Sequence, residues 1–324
     1  MKKIALISEL YGTKRQGGEN QAMFGLFNYL IKKNYECSFY SYISPDKNIK
    51  RILPISILII PFIRDIFFSP FLSLLIKKIQ KKYNEVIVSS TTAGLFLSSD
   101  NNVSCWVHAC RTMKSEKFIK QNKYFIIYNP LTFLIIRFLE IISFRKYKKI
   151  YVITKDIYNY LINVMRVDPK KIILASNFVD SELFYKYLTK KEYDYIFVGR
   201  GTKQKGFDIF LEIAKNNPNK KFLSVLNLIE TDLKNILPNN VLVKFKVSNR
   251  DMPCFYNKAK MLILPSRDEE QPLSVIEALS CGLSVLGSKE ALKNFGKLKL
   301  SSFSLYTICN KEIWKKNLIT KYFA

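Results

Sequence analysis

Histidine occurs once in this chain, at His108, and the six cysteines (Cys37, Cys105, Cys110, Cys254, Cys281 and Cys309) are scattered, with no CxxC pair. That spacing offers no zinc-ligand set. A chain of 324 residues without a disulfide framework suits a reducing cytoplasm. Acidic residues are also scarce, 26 Asp and Glu against 52 Lys and Arg, which leaves a formal net charge of +26. This excess favours an anionic partner: nucleic acid, an acidic membrane surface or a phosphorylated small molecule. A compositional bias toward solvated lysine would produce the same excess. No apolar stretch reaches the roughly 18 to 20 residues that span a bilayer. Ser8-Glu9 cuts short the apolar run Ile4–Ile7 behind Met1-Lys2-Lys3, so no secretion signal is expected.

What is present is 48% hydrophobic composition, ample for buried cores, in a chain of about two domains' length. Apolar runs alternate with amphipathic stretches. Ile4–Ser8 reads as a buried strand, Glu9–Gly18 as a polar loop and Glu19–Lys33 as a helix with Met23, Phe27, Leu30 and Ile31 on one face. Strands are expected at Cys37–Tyr42, Glu85–Ser89, Val103–Ala109, Ile150–Thr154 and Lys171–Ala175, with a helix at Asp156–Val164. Polar Thr189–Asp194 suggests a boundary that gives domains 1–188 and 189–324. The second repeats the alternation, with strands at Tyr195–Val198, Lys221–Leu226, Val241–Val247, Met261–Leu264 and Leu283–Leu286. Its helices fall at Phe207–Asn216, Met252–Lys260 and Pro272–Cys281, and a last helix near 311–324 is a candidate to return to the first domain. The fold class is therefore α/β, two Rossmann-like domains with parallel sheets facing across a ligand cleft.

Residues 51–83 differ in character. Two apolar segments, broken by Arg64-Asp65, end in Lys77, Lys78, Lys81 and Lys82. Such segments suit a helix lying on an anionic membrane surface, and a pair of core helices with a solvated end is the alternative. Tyr124–Lys149 again mixes apolar runs with Arg137, Arg145, Lys146, Lys148 and Lys149, which favours the membrane.

Chemistry gathers at strand ends. Gly17-Gly18 follow the first strand, where glycine lets a ligand approach the backbone and a helix N-terminus offers N–H groups to an anion. They do not form G-x-G-x-x-G, so a nicotinamide enzyme is disfavoured. His108 stands at the carboxyl end of its strand, in the layer of the Gly17-Gly18 loop, where a functional role outweighs a structural one. In Gly199-Arg200-Gly201-Thr202-Lys203-Gln204-Lys205-Gly206, Phe207 and Asp208 occupy the places where a magnesium-binding P-loop needs Lys and a hydroxyl. What remains is two cations, Arg200 and Lys205, able to neutralise a diphosphate without metal. Leu264 to Gly282 reads as strand, acidic loop and helix. Pro272 falls at the first helical position, Gly282 just past the end, Glu269 near the helix N-terminus and Glu277 about two turns inside. Two carboxylates there suit a polyhydroxylated ligand.

Taken in order, Gly17-Gly18, His108, Asn177-x-Val179-Asp180 with Phe184, Gly199-Arg200 to Lys205-Gly206, Pro265-Ser266, and Glu269 with Glu277 before Cys281-Gly282 resemble the motifs of family 4 retaining glycosyltransferases of the GT-B fold. The likeness runs from about Lys2 to Ser288. It implies metal-independent hexosyl transfer, with retention, from a nucleotide-diphosphate sugar. By that resemblance Arg200 and Lys205 stabilise the departing diphosphate, Glu277 holds the ribose, and Glu269 contacts the donor sugar, with Leu273 and Ser274 in the same donor site. His108 would lie beside the transferred sugar, and Gly17 and Gly18 near the phosphates and the acceptor. Glu270 stands where the family usually has Gly, and Phe178 replaces the Gly of Asn-Gly-Val-Asp.

The expected role is extension of a lipid-linked or surface glycan, such as lipopolysaccharide or capsule, by a cytoplasmic enzyme peripheral to the inner face of the cell membrane. No cofactor is expected beyond the nucleotide-sugar co-substrate. Alternatives are a sugar-nucleotide epimerase or phosphorylase on the same plan, a transferase inactivated by Glu270 and a short tail, or a non-catalytic basic protein binding membrane or nucleic acid. The last lacks a recognised nucleic-acid module, and the acidic cluster Asp268–Glu270 argues against it.

Overall fold

A computed structural model describes residues 2–8, 18–41, 50–51, 71–113, 116, 130–295 and 306–308. The chain divides into two compact units, Met1–Asn177 and Phe178–Ala324. Residues 178–188, placed in the first domain from the sequence, pack with the second. Phe184 is buried in its core, 6.2 Å from the Tyr256 ring, and the Tyr187 N–H donates to Asn257 Oδ1 over 3.0 Å.

Among the described residues the first unit builds a seven-stranded sheet from β1 (Lys3–Ser8), β2 (Glu36–Ser41), β3 (Lys50–Arg51), β4 (Glu85–Val88), β5 (Val103–Val107), β6 (Lys149–Val152) and β7 (Ile172–Leu174). Its order is β3-β2-β1-β4-β5-β6-β7, with every pairing parallel. Ile4 to Ser8 and Val103 to Val107 are buried residue after residue, as strands covered on both faces must be. The second unit has six strands: β8 (Tyr193–Gly201), β9 (Phe222–Ile229), β10 (Val241–Phe245), β11 (Ala259–Leu264), β12 (Ser284–Ser288) and β13 (Tyr306–Ile308). They are ordered β10-β9-β8-β11-β12-β13 and again all parallel. Phe197, Phe207, Phe210 and Phe222 centre that core, Phe207 stacking on Phe210 at 5.8 Å between ring centroids.

Both orders reverse direction beside the first strand of the unit, between β1 and β4 and between β8 and β11. In the second unit the loops leaving the carboxyl ends of β8 and β11 stand at that reversal, the kind of place where α/β sheets take ligands.

Helices cover the sheets at Gly18–Lys32, Pro130–Lys146 and Lys155–Asn163 in the first unit, and at Phe207–Lys215, Met252–Lys258 and Leu273–Ser280 in the second. Residues 71–79 are also helical. The basic apolar stretch near Tyr124–Lys149 supplies the Pro130 helix. One side of it is core, with Ile136, Leu139 and Phe144 buried, while Leu134 and Phe138 are 59% and 62% exposed. No helix among the described residues is long and apolar enough to cross a membrane. Gly17, the apolar stretch 52–70 and the expected last helix near 311–324 lie outside the described residues.

Candidate functional site

Each end of the Leu273–Ser280 helix is set by one residue. Pro272 is the N-cap, extended at ψ 125, and not the first helical residue as its position suggested. Proline's fixed φ, −67 here, suits an extended N-cap as well as a first helical residue, and it has no N–H to leave unpaired, so the ring can end the loop and leave Leu273 to begin the helix. Glu277 therefore lies little more than one turn inside. At the other end Gly282 is left-handed, φ +78. Its N–H donates to Leu279 O over 3.0 Å, and the Leu283 N–H donates to Ala278 O over 2.9 Å. This pair of bonds closes the helix and satisfies its last carbonyls.

The loop after β8 and the loop after β11 meet at the switch point of the second sheet. Gly206, the N-cap of the Phe207 helix, has φ +72. A Cβ there would lie 2.0 Å from the carbonyl oxygen of Pro265, so only glycine permits this approach. Beside the contact, Lys205 Nζ forms an ion pair with Glu269 Oε1, their side chains 21% and 10% exposed. Arg200 is exposed and donates to Gln204 Oε1 over 3.2 Å. Glu230 ties the loop to β9, accepting from the Lys203 N–H at 3.0 Å and donating its own N–H to Gly201 O at 2.9 Å.

Arg267, not marked out in the sequence, clamps the same loops together with Ser266 of the Pro265-Ser266 motif. Arg267 donates from Nη1 to Asp208 Oδ1 and from Nη2 to Asp208 Oδ2, both at 2.8 Å. Its backbone N–H donates to Gln204 O over 2.9 Å, and Nη1 also donates to the Lys203 carbonyl. Ser266, fully buried, donates to Gln204 O.

Glu277 is buried and accepts a hydrogen bond from the Tyr256 hydroxyl at 2.7 Å. Burial raises its carboxyl to about 7, against the stabilising phenol. Tyr256 is pushed well up by burial and by the carboxylate beside it. Leu273 and Ser274 are half-buried in the first turn of the same helix. Glu270 is buried, and its carbonyl accepts from Asn294 at 2.6 Å. It follows Glu269 as a residue of the fold, not as an exposed charge.

In the first unit His108 follows β5 and is buried, its ring 4.5 Å from the Trp106 ring. Burial lowers its pKa to about 4, with the Trp106 backbone and the Asn177 side chain opposing; the ring is neutral at pH 7. Gly18 is the first residue of the helix after β1, and Ser8, at the end of β1, donates to Asn20 in that helix. The residues just after His108 are held by Glu140, fully buried on the Pro130 helix. Its carboxylate accepts from Thr91 Oγ1 at 2.8 Å, the Arg111 N–H at 3.1 Å, the Thr112 hydroxyl and Cys110 Sγ at 3.3 Å.

The structure thus brings Lys205, Glu269 and the Arg200 loop together, with Leu273, Ser274 and Glu277 on the helix that follows. In the first unit His108 stands at the end of β5 and Gly18 at the start of the helix that follows β1.

Residues 180–292 match the Glycosyl transferases group 1 family. The chain is 26% identical to an uncharacterised 41.2 kDa protein in the cps region of Klebsiella pneumoniae, over 56% of this chain and 57% of that protein. It therefore spans little more than half the length of that relative. Its fold is similar to that of WaaG, a glycosyltransferase involved in lipopolysaccharide biosynthesis (13% identity, 96% of this chain and 88% of that one, TM-score 0.74). It is also similar to Anabaena HepE in complex with UDP and glucose (12% identity, 98% and 89%, TM-score 0.68). The chain has the GT-B fold, and its residues 180–292 are similar to the Glycosyl transferases group 1 family.

Proposed function

We propose that this protein transfers a sugar from a nucleotide-diphosphate-sugar donor to a glycan or glycolipid acceptor, with retention at the anomeric carbon and without a required metal. The observation that carries the reading is the meeting of Lys205 with Glu269 at the β8/β11 switch point. A cation for the diphosphate and a carboxylate for sugar hydroxyls stand side by side where the fold takes ligands. Arg200 and Lys205 offset the charge that collects on the diphosphate as its bond to the anomeric carbon breaks and the electron pair leaves with it. Glu269 holds the sugar, Glu277 the ribose, and Leu273 and Ser274 line the donor site. The acceptor oxygen forms the new bond to the anomeric carbon, and its proton passes to the departing diphosphate oxygen. His108, neutral at pH 7, is assigned to orient hydroxyls of the transferred sugar as hydrogen-bond donor or acceptor, and Gly17 and Gly18 are assigned to the phosphates and the acceptor.

The UDP and glucose named with HepE support a nucleotide-sugar donor. The cps-region relative and the role named for WaaG support a surface glycan, lipopolysaccharide or capsule, as the product. Peripheral association with the inner face of the cell membrane is part of the proposal. Phe71 and Leu74 are each 49% exposed on a helix that ends in the exposed Lys77 and Lys78, and Leu134 and Phe138 flank Arg137. Apolar side chains beside cations are what an anionic bilayer takes up.

The test is nucleoside diphosphate release from a panel of sugar nucleotides, with and without candidate acceptors, and assignment of the product anomer. Acceptor-dependent release that Arg200→Ala and Glu277→Ala abolish is expected. Turnover without acceptor would point instead to an epimerase or phosphorylase, and inversion would overturn retention. Co-sedimentation with anionic vesicles should weaken at high salt; indifference to lipid and salt would remove the membrane from the proposal.

A further inference from the structure

We infer that Arg267 is a positioning residue for the donor diphosphate, acting through Asp208 and the Gly199–Gly206 loop. This rests on the donor-site reading above. Lys205 lies between two residues that the β11 loop holds. Gln204 accepts from the Arg267 N–H and from Ser266, and Gly206 rests against the Pro265 carbonyl. The Arg267 guanidinium completes the clamp, its fork closed on both oxygens of Asp208 and on the Lys203 carbonyl.

Two physical consequences follow. A bidentate arginine-carboxylate pair fixes angle as well as distance, so the loop that carries Lys205 and the loop that carries Glu269 are set in one register. Asp208 also stands in the first turn of the Phe207 helix, three residues from Lys205. Left unpaired there, its negative charge would oppose a diphosphate at Lys205. Arg267 neutralises it without approaching the ligand, and lysine in its place would keep the charge and lose the fork.

Binding of UDP, ADP and GDP, and of uridine, adenosine and guanosine, is measured on the full chain by calorimetry or ligand-observed NMR, below the unfolding midpoint of each variant. For the base that wild type binds, Arg267→Met should weaken the diphosphate on the order of tenfold and the nucleoside less than twofold. Arg267→Lys should fall between. Adding Asp208→Asn to Arg267→Met should recover part of the loss, since it removes the uncompensated carboxylate. Wild-type binding of a diphosphate that Arg267→Met leaves within twofold overturns the inference alone. So does an equal loss of nucleoside and diphosphate, or a double variant no better than the single. Wild type that binds none of the three diphosphates overturns the donor-site reading and this inference with it.

Discussion

Tyr256 donates its phenolic hydrogen to Glu277 Oε2 over 2.7 Å, with both side chains buried. The contact lowers the pH at which Glu277 becomes a carboxylate. Burial raises its pKa to about 7 and the phenol holds it back from rising further. A carboxylate accepts ribose hydroxyls better than a carboxylic acid does. On the proposed ribose contact, nucleoside binding, free of any phosphate titration, should therefore tighten as pH rises through about 7. Tyr256→Phe should move that midpoint upward, and Glu277→Gln should remove it; a binding titration across pH 5.5 to 8.5, roughly a unit and a half either side, reads all of this. A midpoint unmoved in Tyr256→Phe would show that the phenol does not govern the carboxyl.

The same group also bears on stability. Its folded pKa, about 7, lies above the ordinary carboxyl value of 4.5, so its contribution is fully present below pH 4.5 and lost as pH rises toward 7. The loss is about 3 kcal/mol. His108 acts in the opposite direction. Its folded pKa, about 4, lies below the ordinary imidazole value of 6.5. The unfolded chain protonates first, and about 3 kcal/mol is lost as pH falls from 6.5 to 4. Because the windows overlap, each slope is to be read in the variant lacking the other group. Glu277→Gln should lose stability toward acid, and His108→Gln should lose it toward neutrality. His108 is the only histidine, so its imidazole resonances titrate without overlap. A midpoint near 6.5 would contradict a buried, neutral ring.

The alternation of strands and helices was legible because the period of apolar residues is a local property. The bounds shift by a residue or two at most ends, as between Cys37–Tyr42 expected and Glu36–Ser41 found. The neighbourhood of Lys205 and Glu269 was legible once two strands could be set beside each other, since both loops leave carboxyl ends. Partners were not legible. Arg267 and Asp208 stand 59 residues apart, and nothing in either segment names the other. Tyr256 and Glu140 read as ordinary members of amphipathic segments, because a buried polar residue on a helix keeps the helical period whatever it bonds. The Pro130 helix blurred core with surface. Its sequence is apolar around most of its circumference, so periodicity could not tell Ile136, buried, from Phe138, exposed.

Glycine substitutions should separate three environments. At Gly206, alanine meets both φ +72 and the Pro265 carbonyl at 2.0 Å. Neither backbone can yield without moving the Gly199–Gly206 loop, so Gly206→Ala should cost several kcal/mol, on the order of 3 or more, and, on the proposed donor site, abolish diphosphate binding. At Gly282, φ is +78 but the obstacle is the Lys186 side chain, which can swing away; a cost of about 1 to 2 kcal/mol is expected. At Gly25, inside the Gly18–Lys32 helix, nothing lies within 4 Å of the added Cβ. Alanine should there stabilise by about 0.5 to 1 kcal/mol. Unfolding midpoints in that order, with binding lost only in Gly206→Ala, check the assignment; equal costs at positions 206 and 282 would refute it.

Glu140 provides the corresponding test in the first unit. Its carboxylate gathers donors from two loops, Thr91 after β4 and Cys110 to Thr112 after His108. Both loops leave the carboxyl ends of paired strands, so the carboxylate sets the mouth of the first sheet. Glu140→Ala would leave the Arg111 N–H and two hydroxyls buried without acceptors, each costing about 1 to 3 kcal/mol. Glu140→Gln keeps the shape but turns an amide N–H₂ toward some of those donors, and should recover only part. Followed by hydrogen exchange, the loss should fall on Met1–Asn177, with the amides after His108 deprotected most and the β8–β12 core unchanged. Glu140→Ala within about 0.5 kcal/mol of wild type, the range of surface substitutions, would show that the loops hold their place without it.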